Sequence, residues 1–448
     1  MTKTMIGVRG YWRGLVLVSL LLAGCDTITD WVGAGEAPPL PGTRVSVLTL
    51  EKELVPDPGI ADLAVKVPEA WRNTSWPQSA GYPNHAMHNL TLGQDLKVVW
   101  RHDIGYGSSS STVLSAQPVV ADGVVYALDS ESNVSAVGVA DGRQRWRVDL
   151  TPEKEESGAL GGGLALADGV LFVATGYGEV MALELAGGAR IWTQSLGTPF
   201  RVAPTVVDGR IFAVSYDNQL TALAANDGRV LWSHAGIAED AGLLGGASPA
   251  VEGGIVVAPY SSGELVGLRV ENGRVVWQDQ LIRVARYTPL ANLSEIRGSP
   301  VIDRGLVFAI SHAGRMVAVD LRTGDRIWER DLEGVETPWV AGEFVYLVTV
   351  NGELVCLSRR DGRIRWVAQL QRFEDEEDRS GPIQWTGPVL AGERLILLSS
   401  NDKAVLVSPF NGEILGGFEL PAAATVPPLV VDGTLFVLTE NAELLAYR

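Results

Sequence analysis

A short apolar strand, a Gly-containing turn and a second, alternating apolar strand recur eight times along this chain of 448 residues. Successive turn glycines are between 37 residues (Gly305 to Gly342) and 51 residues (Gly254 to Gly305) apart. The eight glycines are Gly123, Gly169, Gly209, Gly254, Gly305, Gly342, Gly392 and Gly433. Period-two alternation between turn residues predicts β-strands throughout. A unit of roughly 45 residues with four strands has the size of a β-propeller blade.

A second motif follows these hairpins: a turn glycine and, four residues later, a tryptophan. It reads "DGRVLW" at 227–232 and "TGDRIW" at 323–328, with looser copies elsewhere. The glycine supplies the positive φ that a hairpin turn needs. A Trp repeated in nearly every unit fits packing between neighbouring blades, because it buries a large flat surface there. We therefore predict a structural, inter-blade role for Trp100, Trp146, Trp192, Trp232, Trp277, Trp328 and Trp366.

The two ends of the repeat series together supply one complete unit. The motif after the seventh hairpin has decayed to "NGEILG" (411–416), and the eighth unit stops at "AELLAYR" (442–448), one strand short. The segment "LKVVWRHDI" (96–104) has the pattern of a fourth strand, with Trp100 in the motif position. We predict an all-β, eight-bladed β-propeller of four-stranded blades, with the ring closed by this N-terminal strand so that no junction stays unpaired.

The N-terminus has the pattern of a secretory signal. Three basic residues precede an apolar core of 11 residues at 14–24, which is shorter than the roughly 20 residues of a membrane-spanning helix. The core ends in "LLAGC" (21–25), which resembles the bacterial lipobox and implies lipidation of Cys25. A plain signal peptide is the alternative. Several acyl chains on one residue anchor a protein durably, because each buried methylene contributes about 0.8 kcal/mol.

These patterns divide the chain into a lipoprotein signal peptide (1–24), a lipidated N-terminus with an extended tether (25–75) and the propeller (76–448). The tether prediction rests on Pro-rich stretches such as "APPLPG" (37–42). We expect an outer-membrane lipoprotein that faces the periplasm. Asp26 leaves the inner membrane open, since an Asp after the lipidated Cys retains lipoproteins there in some bacteria.

Composition excludes some functions. The formal net charge is −17, and such an acidic body lacks the basic footprint that nucleic-acid binding needs. With Cys25 lipidated, Cys356 has no partner for an internal disulfide, and its alternating apolar context predicts a buried core residue. The acidic run "FEDEEDRS" (373–380) predicts a solvated loop, with partner contact or weak cation binding as alternatives. The five histidines show no metal-ligand spacing: His85, His88, His102, His234 and His312.

The stretch "VAVDLRTGDRIW" (317–328) resembles the repeat of pyrroloquinoline-quinone (PQQ) dehydrogenases, and 76–100 resembles the entry segment of that superfamily. The chain has no adjacent cysteine pair and only short segments between blades, so the alternative of a quinone-dependent dehydrogenase lacks the usual catalytic additions. We predict no catalytic residue, no metal and no cofactor. A lipoprotein ring of these repeats resembles the BamB family, the scaffolds of outer-membrane β-barrel assembly.

That resemblance implies a non-enzymatic role. The expected partners are the POTRA domains of BamA, other Bam components and nascent outer-membrane proteins. In the family, loops between neighbouring blades contact the partner, and the comparable loops here are 238–247 and 286–298. Leu243 and Glu295 match the contact positions, whereas Arg297 stands where the family has an acid. Exposed outer strands could also accept an extended client strand. An unrelated envelope adaptor or a polysaccharide-binding propeller remains a further alternative.

Overall fold

A computed structural model describes residues 54–239, 245–282 and 295–448. Within these residues, eight antiparallel sheets of four strands each form the blades. In chain order the strands are β1 (Val98–Asp103); in blade 1, β2–β5 (Val119–Ala121, Val124–Leu128, Asn133–Gly138, Gln144–Asp149); in blade 2, β6–β9 (Gly162–Ala167, Val170–Thr175, Glu179–Glu184, Arg190–Ser195); in blade 3, β10–β13 (Thr205–Val207, Arg210–Val214, Gln219–Ala224, Val230–Ala235); and in blade 4, β14–β17 (Ala250–Glu252, Ile255–Pro259, Glu264–Arg269, Val275–Gln280).

The second half continues in the same way. Its strands are, in blade 5, β18–β21 (Val301–Asp303, Leu306–Ile310, Met316–Asp320, Arg326–Arg330); in blade 6, β22–β25 (Trp339–Ala341, Phe344–Val348, Glu353–Ser358, Ile364–Gln369); a separate hairpin, β26 and β27 (Phe373–Asp375, Ser380–Pro382); in blade 7, β28–β31 (Trp385–Ala391, Arg394–Ser399, Lys403–Val407, Ile414–Glu419); and in blade 8, β32–β34 (Leu429–Val431, Thr434–Leu438, Glu443–Tyr447) with β1 as the fourth strand. Pro58–Ile60 is a single 3₁₀ turn.

Blade 8 closes the ring as predicted. Strand β1 pairs antiparallel with β34, with Trp100 opposite Ala446. The pairing continues beyond the strands, because Lys97 and Arg448 exchange two backbone hydrogen bonds of 2.9 and 3.0 Å. This topology confirms the predicted all-β, eight-bladed ring and its closure by an N-terminal strand. No helix in the described parts of the chain has the length and apolarity to cross a membrane.

The seven motif tryptophans join neighbouring blades. Each indole N–H donates to a backbone carbonyl of the next blade, over 2.7 to 3.1 Å. The pairs are Trp100 with Val139, Trp146 with Leu185, Trp192 with Ala225, Trp232 with Val270, Trp277 with Leu321, Trp328 with Arg359 and Trp366 with Pro409. Every acceptor lies three residues before the motif glycine of its own blade. One repeated hydrogen bond thus fixes the same register at seven blade interfaces.

The motif glycine forms the other half of this contact. A Cβ on Gly228 would lie 2.6 Å from Cε3 of Trp192, and one on Gly324 would lie 2.5 Å from Cβ of Trp277. Glycine is therefore required both for its positive φ and for the space that the preceding Trp fills. The interface between blades 7 and 8 differs. Gly416 stands in the Trp position of blade 7, and no motif turn joins β34 to β1.

Residues 73–92, here called the plug, close one end of the central channel. The plug runs round the inner ring and bonds to the innermost strand of each blade in turn. The bonded pairs, from blade 1 to blade 8, are Trp76 with Val120, Pro77 with Leu166, Gln78 with Val206, Pro83 with Val251, Asn84 with Ile302, His88 with Trp339, Leu90 with Leu390, and Asn73 with Val430. Hydrogen bonds with eight different partners satisfy the polar groups of an irregular segment in the centre of the protein.

The described part of the predicted tether, residues 54–75, contacts the ring. The Asp57 N–H donates to the carbonyl of Ile364 on the outermost strand of blade 6 over 2.8 Å. Arg365 Nε donates to the Leu63 carbonyl over 2.7 Å, and Ile60 is buried. The chain therefore reaches the plug along the outer edge of blade 6. Cys25, Leu243 and the signal-peptide residues lie outside the described residues.

Candidate docking face and central funnel

The face opposite the plug carries the connections from one blade to the next. Each connection leaves an outermost strand and enters an innermost strand at its N-terminal end. A cavity of about 370 Å³, here called the funnel, opens on this face. Seven of the eight connections line the funnel, blade 2 contributes Gly162 at the start of its innermost strand, and Trp76 and His85 of the plug also line it. Blades share their motif turns but differ in these connections, so variation between blades is concentrated on the funnel face.

Arg201 and Glu295 link two connections that are distant in sequence. The Arg201 Nη1 atom donates to Glu295 Oε1 over 3.0 Å, and only 2% of Glu295 is exposed. The guanidinium also stacks on the ring of Tyr216, 3.9 Å from the centroid. Removing one member of a buried ion pair leaves the other charge uncompensated, at a cost of about 3–5 kcal/mol. Glu295, predicted from sequence as a partner contact, is therefore engaged inside the protein.

The ends of the two predicted partner loops are held by specific bonds. The Ile237 N–H donates to Glu264 Oε2 over 2.6 Å, and the Ile237 carbonyl accepts from Asn218 Nδ2 over 2.6 Å. In the second loop, the Glu295 carbonyl accepts from the His312 N–H over 2.9 Å. Residues 240–244 and 283–294 between these ends lie outside the described residues. The described loop ends are thus fixed by hydrogen bonds to neighbouring loops.

Glu336 is one of two described acidic residues that line the funnel. Its Oε2 accepts from Thr386 Oγ1 over 2.7 Å and from the Gly387 N–H over 3.3 Å. Burial raises the pKa of the Glu336 carboxyl, although the nearby Arg297 guanidinium opposes this shift. A second lining carboxylate, Glu440, accepts from Thr425 Oγ1 over 2.7 Å. The lining is therefore of mixed charge and its acids already have protein partners.

These donors do not fit an anionic quinone with a bound calcium ion. Such a cofactor needs basic groups for the quinone and a set of carboxylate and amide oxygens for the metal. The Arg201 guanidinium is paired with Glu295, the Arg297 guanidinium lies near Glu336, and Glu336 and Glu440 accept hydrogen bonds from protein groups. In the described part of the chain, no group of three His, Cys, Asp or Glu side chains is placed to hold a metal ion.

His85 is a plug residue that is buried against blade 5. Its Nδ1 lies 2.7 Å from the Pro300 carbonyl, so Nδ1 carries the proton and donates. Burial lowers the pKa of His85 to about 4, and the carbonyl only partly offsets this shift. Its φ of 61° is one that Asn also tolerates.

This burial predicts a pH dependence of stability. Because the folded-state pKa lies below the unfolded value of about 6.5, the unfolded chain binds more protons between these values, and stability falls as pH drops from 6.5 to 4. Asn at position 85 keeps a donor for the Pro300 carbonyl and tolerates the positive φ. We therefore expect His85→Asn to reduce the loss of unfolding free energy between neutral pH and pH 4 by up to about 3 kcal/mol. Urea unfolding at pH 7 and pH 4 measures the effect. An unchanged difference between the two pH values in His85→Asn would contradict the assignment.

The acidic run differs from its sequence-based interpretation. Residues 373–382 form the hairpin β26–β27 in the connection between blades 6 and 7, and most of their side chains are exposed. Trp385 anchors the base, since its indole N–H donates to the Gln371 carbonyl over 2.8 Å. The sequence pattern predicted that these side chains are exposed. It did not predict the pairing of β26 with β27, because five consecutive acidic residues are not typical of a strand. Cys356 is buried, in agreement with its apolar context.

The fold, the repeated Gly–Trp contact and the funnel define the class of PQQ-like repeat β-propellers. A family model described as outer membrane protein assembly factor BamB matches residues 93–157 and 130–368. The chain therefore belongs to the BamB family of outer membrane protein assembly factors.

Individual relatives agree with this assignment. The outer membrane protein assembly factor BamB of Moranella endobia is 23% identical over 245 residues, and that of Yersinia pestis is 25% identical over 240. These matches cover 54% and 53% of this chain, and the chain spans only 60% of the length of each relative. The fold resembles the crystal structure of BamB from Moraxella catarrhalis, with a TM-score of 0.66 and 16% identity over 79% of this chain and 100% of the other.

Quinohemoprotein alcohol dehydrogenase from Comamonas testosteroni shares the fold as well. It has a TM-score of 0.64 and 14% identity, over 84% of this chain and 81% of the other. At this identity the likeness concerns the architecture alone.

Proposed function

We propose that this protein is a non-catalytic scaffold lipoprotein of outer-membrane protein assembly, anchored through Cys25 and facing the periplasm. It docks on the POTRA domains of BamA, joins the other Bam components and aids folding and insertion of outer-membrane proteins. Membership of the BamB family is the observation that carries this proposal. The mixed, internally paired lining of the funnel favours binding over quinone-dependent oxidation.

The funnel face is the proposed docking surface. Loops with ends held by Glu264, Asn218 and the Arg201–Glu295 pair need less ordering when a partner binds, so less of the binding energy is lost. Leu243 lies in the first loop and is the proposed apolar contact. Glu295 acts by holding the second loop against Arg201 in this proposal, and Arg297 beside it is the more accessible polar group.

Purification of the native lipoprotein in mild detergent, from cells that carry a tag on this chain, tests the docking. We expect the BamA-type barrel protein to copurify with the wild type. Leu243→Asp should reduce the recovered barrel protein at least about tenfold, because burying an unpaired charge in an apolar contact costs more than 1.4 kcal/mol.

Leu160→Asp is the matched control. Leu160 is an exposed Leu on the same face, in the connection between blades 1 and 2, outside the predicted partner loops. We expect barrel recovery from Leu160→Asp to stay within about twofold of the wild type. Absence of the barrel protein from wild-type material, or its loss only in Leu160→Asp, would refute this assignment of function and surface.

A further inference from the structure

In every blade except blade 1, at least one of the two residues before the motif Trp position of the outermost strand is apolar, and four of the eight blades protect this edge with a charged residue at one of the two positions. Arg145, Arg190 and Arg326 occupy one of the two positions in blades 1, 2 and 5. Blade 6 has Arg365 there, and residues 54–63 cover part of its edge. Charged side chains and covering segments are common protection against unwanted pairing of an edge strand.

The outermost strand of blade 7, β31, has neither protection. Ile414 and Leu415 are 54% and 51% exposed, and no charged residue occurs from Ile414 to Phe418. In blades 3 and 4 the two positions are also apolar, but the second residue is half-buried and the Trp is present. Blade 8 has exposed valines, followed by Arg101 and Asp103 in the same strand.

The backbone of β31 is also bare. Gly416 takes the place of the motif Trp, and no atom lies within 4 Å of where its Cβ would be. Gly417 follows directly. Glycines inside a strand often mark a place where another backbone approaches closely, and the outward N–H and C=O groups of an edge strand are available for pairing.

The molecule itself shows that such an edge accepts extended chain. On blade 6, the Asp57 N–H donates to the Ile364 carbonyl of the outermost strand. Ile364 occupies the position two residues before Trp366, as Ile414 does relative to Gly416. The corresponding site on blade 7 pairs with its inner neighbour in the same register, including the same shift between positions 414 and 416 as between 364 and 366, and no described segment of this chain covers it.

We propose that the outer edge of blade 7 binds an extended strand of an unfolded outer-membrane β-barrel protein by edge pairing. This inference rests on the proposed function. Charge selects the occupant. Glu413 and Glu419 flank the apolar stretch, and the chain carries a net charge of −17, so a second copy of this protein is repelled. A strand with alternating apolar residues and neutral or basic ends complements the site.

Site-specific photo-crosslinking tests the proposal. A photo-crosslinking amino acid replaces Leu415 in the full chain, purified in mild detergent, and the probe is an outer-membrane porin diluted from urea. The matched position is Ile327 in blade 5, which is 49% exposed and directly precedes Trp328, as Leu415 directly precedes Gly416. We expect at least fivefold more porin adduct at position 415 than at position 327. Leu415→Lys should lower porin binding at least fivefold, whereas Ile327→Lys should leave it within twofold.

Three results would overturn the inference: equal adducts at the two positions, equal effects of the two Lys variants, or an adduct of twice the chain mass that forms without porin and shows self-pairing. Recovery of the BamA-type barrel protein with Leu415→Lys is measured in parallel. Equal porin adducts at positions 415 and 327, in a chain that still recovers the barrel protein, refute only this inference, whereas failure of the wild type to recover the barrel protein refutes the proposed function.

Discussion

Gly324→Ala is expected to lower the free energy of unfolding by about 4 kcal/mol, and Gly305→Ala in the same blade by only about 1 kcal/mol. Both glycines have a φ of 77°, so the left-handed backbone penalty, about 1–2 kcal/mol, is common to the two variants. The environments differ. An added Cβ at Gly305 meets no atom within 4 Å, whereas one at Gly324 would lie 2.5 Å from Cβ of Trp277.

The clash at Gly324 is with the root of a side chain, which cannot move away by changing rotamer. Relief requires separation of blades 4 and 5, and that separation also weakens the bond from the Trp277 indole to Leu321, 2.7 Å long. Overpacking of this kind costs about 1–3 kcal/mol. Urea unfolding followed by tryptophan fluorescence compares the variants. Equal destabilisation would show that the glycine is needed for its backbone conformation alone.

The blade count and ring closure were predictable because their signals are local. Alternation of apolar residues and a Gly in each turn specify hairpins without knowledge of the rest of the chain. Trp100 identified the closing strand because it repeats a motif position. The pairing of each Trp with the next motif glycine was not predictable, since the two residues lie about 40 residues apart and the turn alone explains the Gly.

The plug lay beyond sequence reasoning for a different reason. Eight of its residues bond to the blades, each to a different one and at irregular spacing, so no period appears between residues 73 and 92. The burial of Glu295 was equally hidden, because its partner Arg201 is 94 residues away. Cys25 and Leu243 remain sequence-based predictions. The location of the candidate site, in the connections where blades differ, is likewise a prediction from the sequence.

The plug supports the second large expected effect. Trp76 is fully buried, exchanges two backbone hydrogen bonds of 2.8 Å with Val120, and packs against the ring of Trp339, 6.4 Å between centroids. We expect Trp76→Ala to lower the free energy of unfolding by about 4 kcal/mol, through lost burial and the cavity left behind. Trp71→Ala is the control, because Trp71 is 36% exposed and its loss should cost about 1 kcal/mol.

Thermal unfolding and limited proteolysis of residues 54–92 measure both effects. If the plug is an integral part of the ring, Trp76→Ala lowers the melting temperature of the whole propeller and exposes the segment only as the ring unfolds. A variant that keeps the wild-type melting temperature while the segment becomes protease-sensitive would instead show a detachable strap. Trp76 also lines the funnel, so the two outcomes have different consequences for docking. An integral plug keeps the funnel face rigid. A detachable plug would let the base of the funnel open while every blade stays folded.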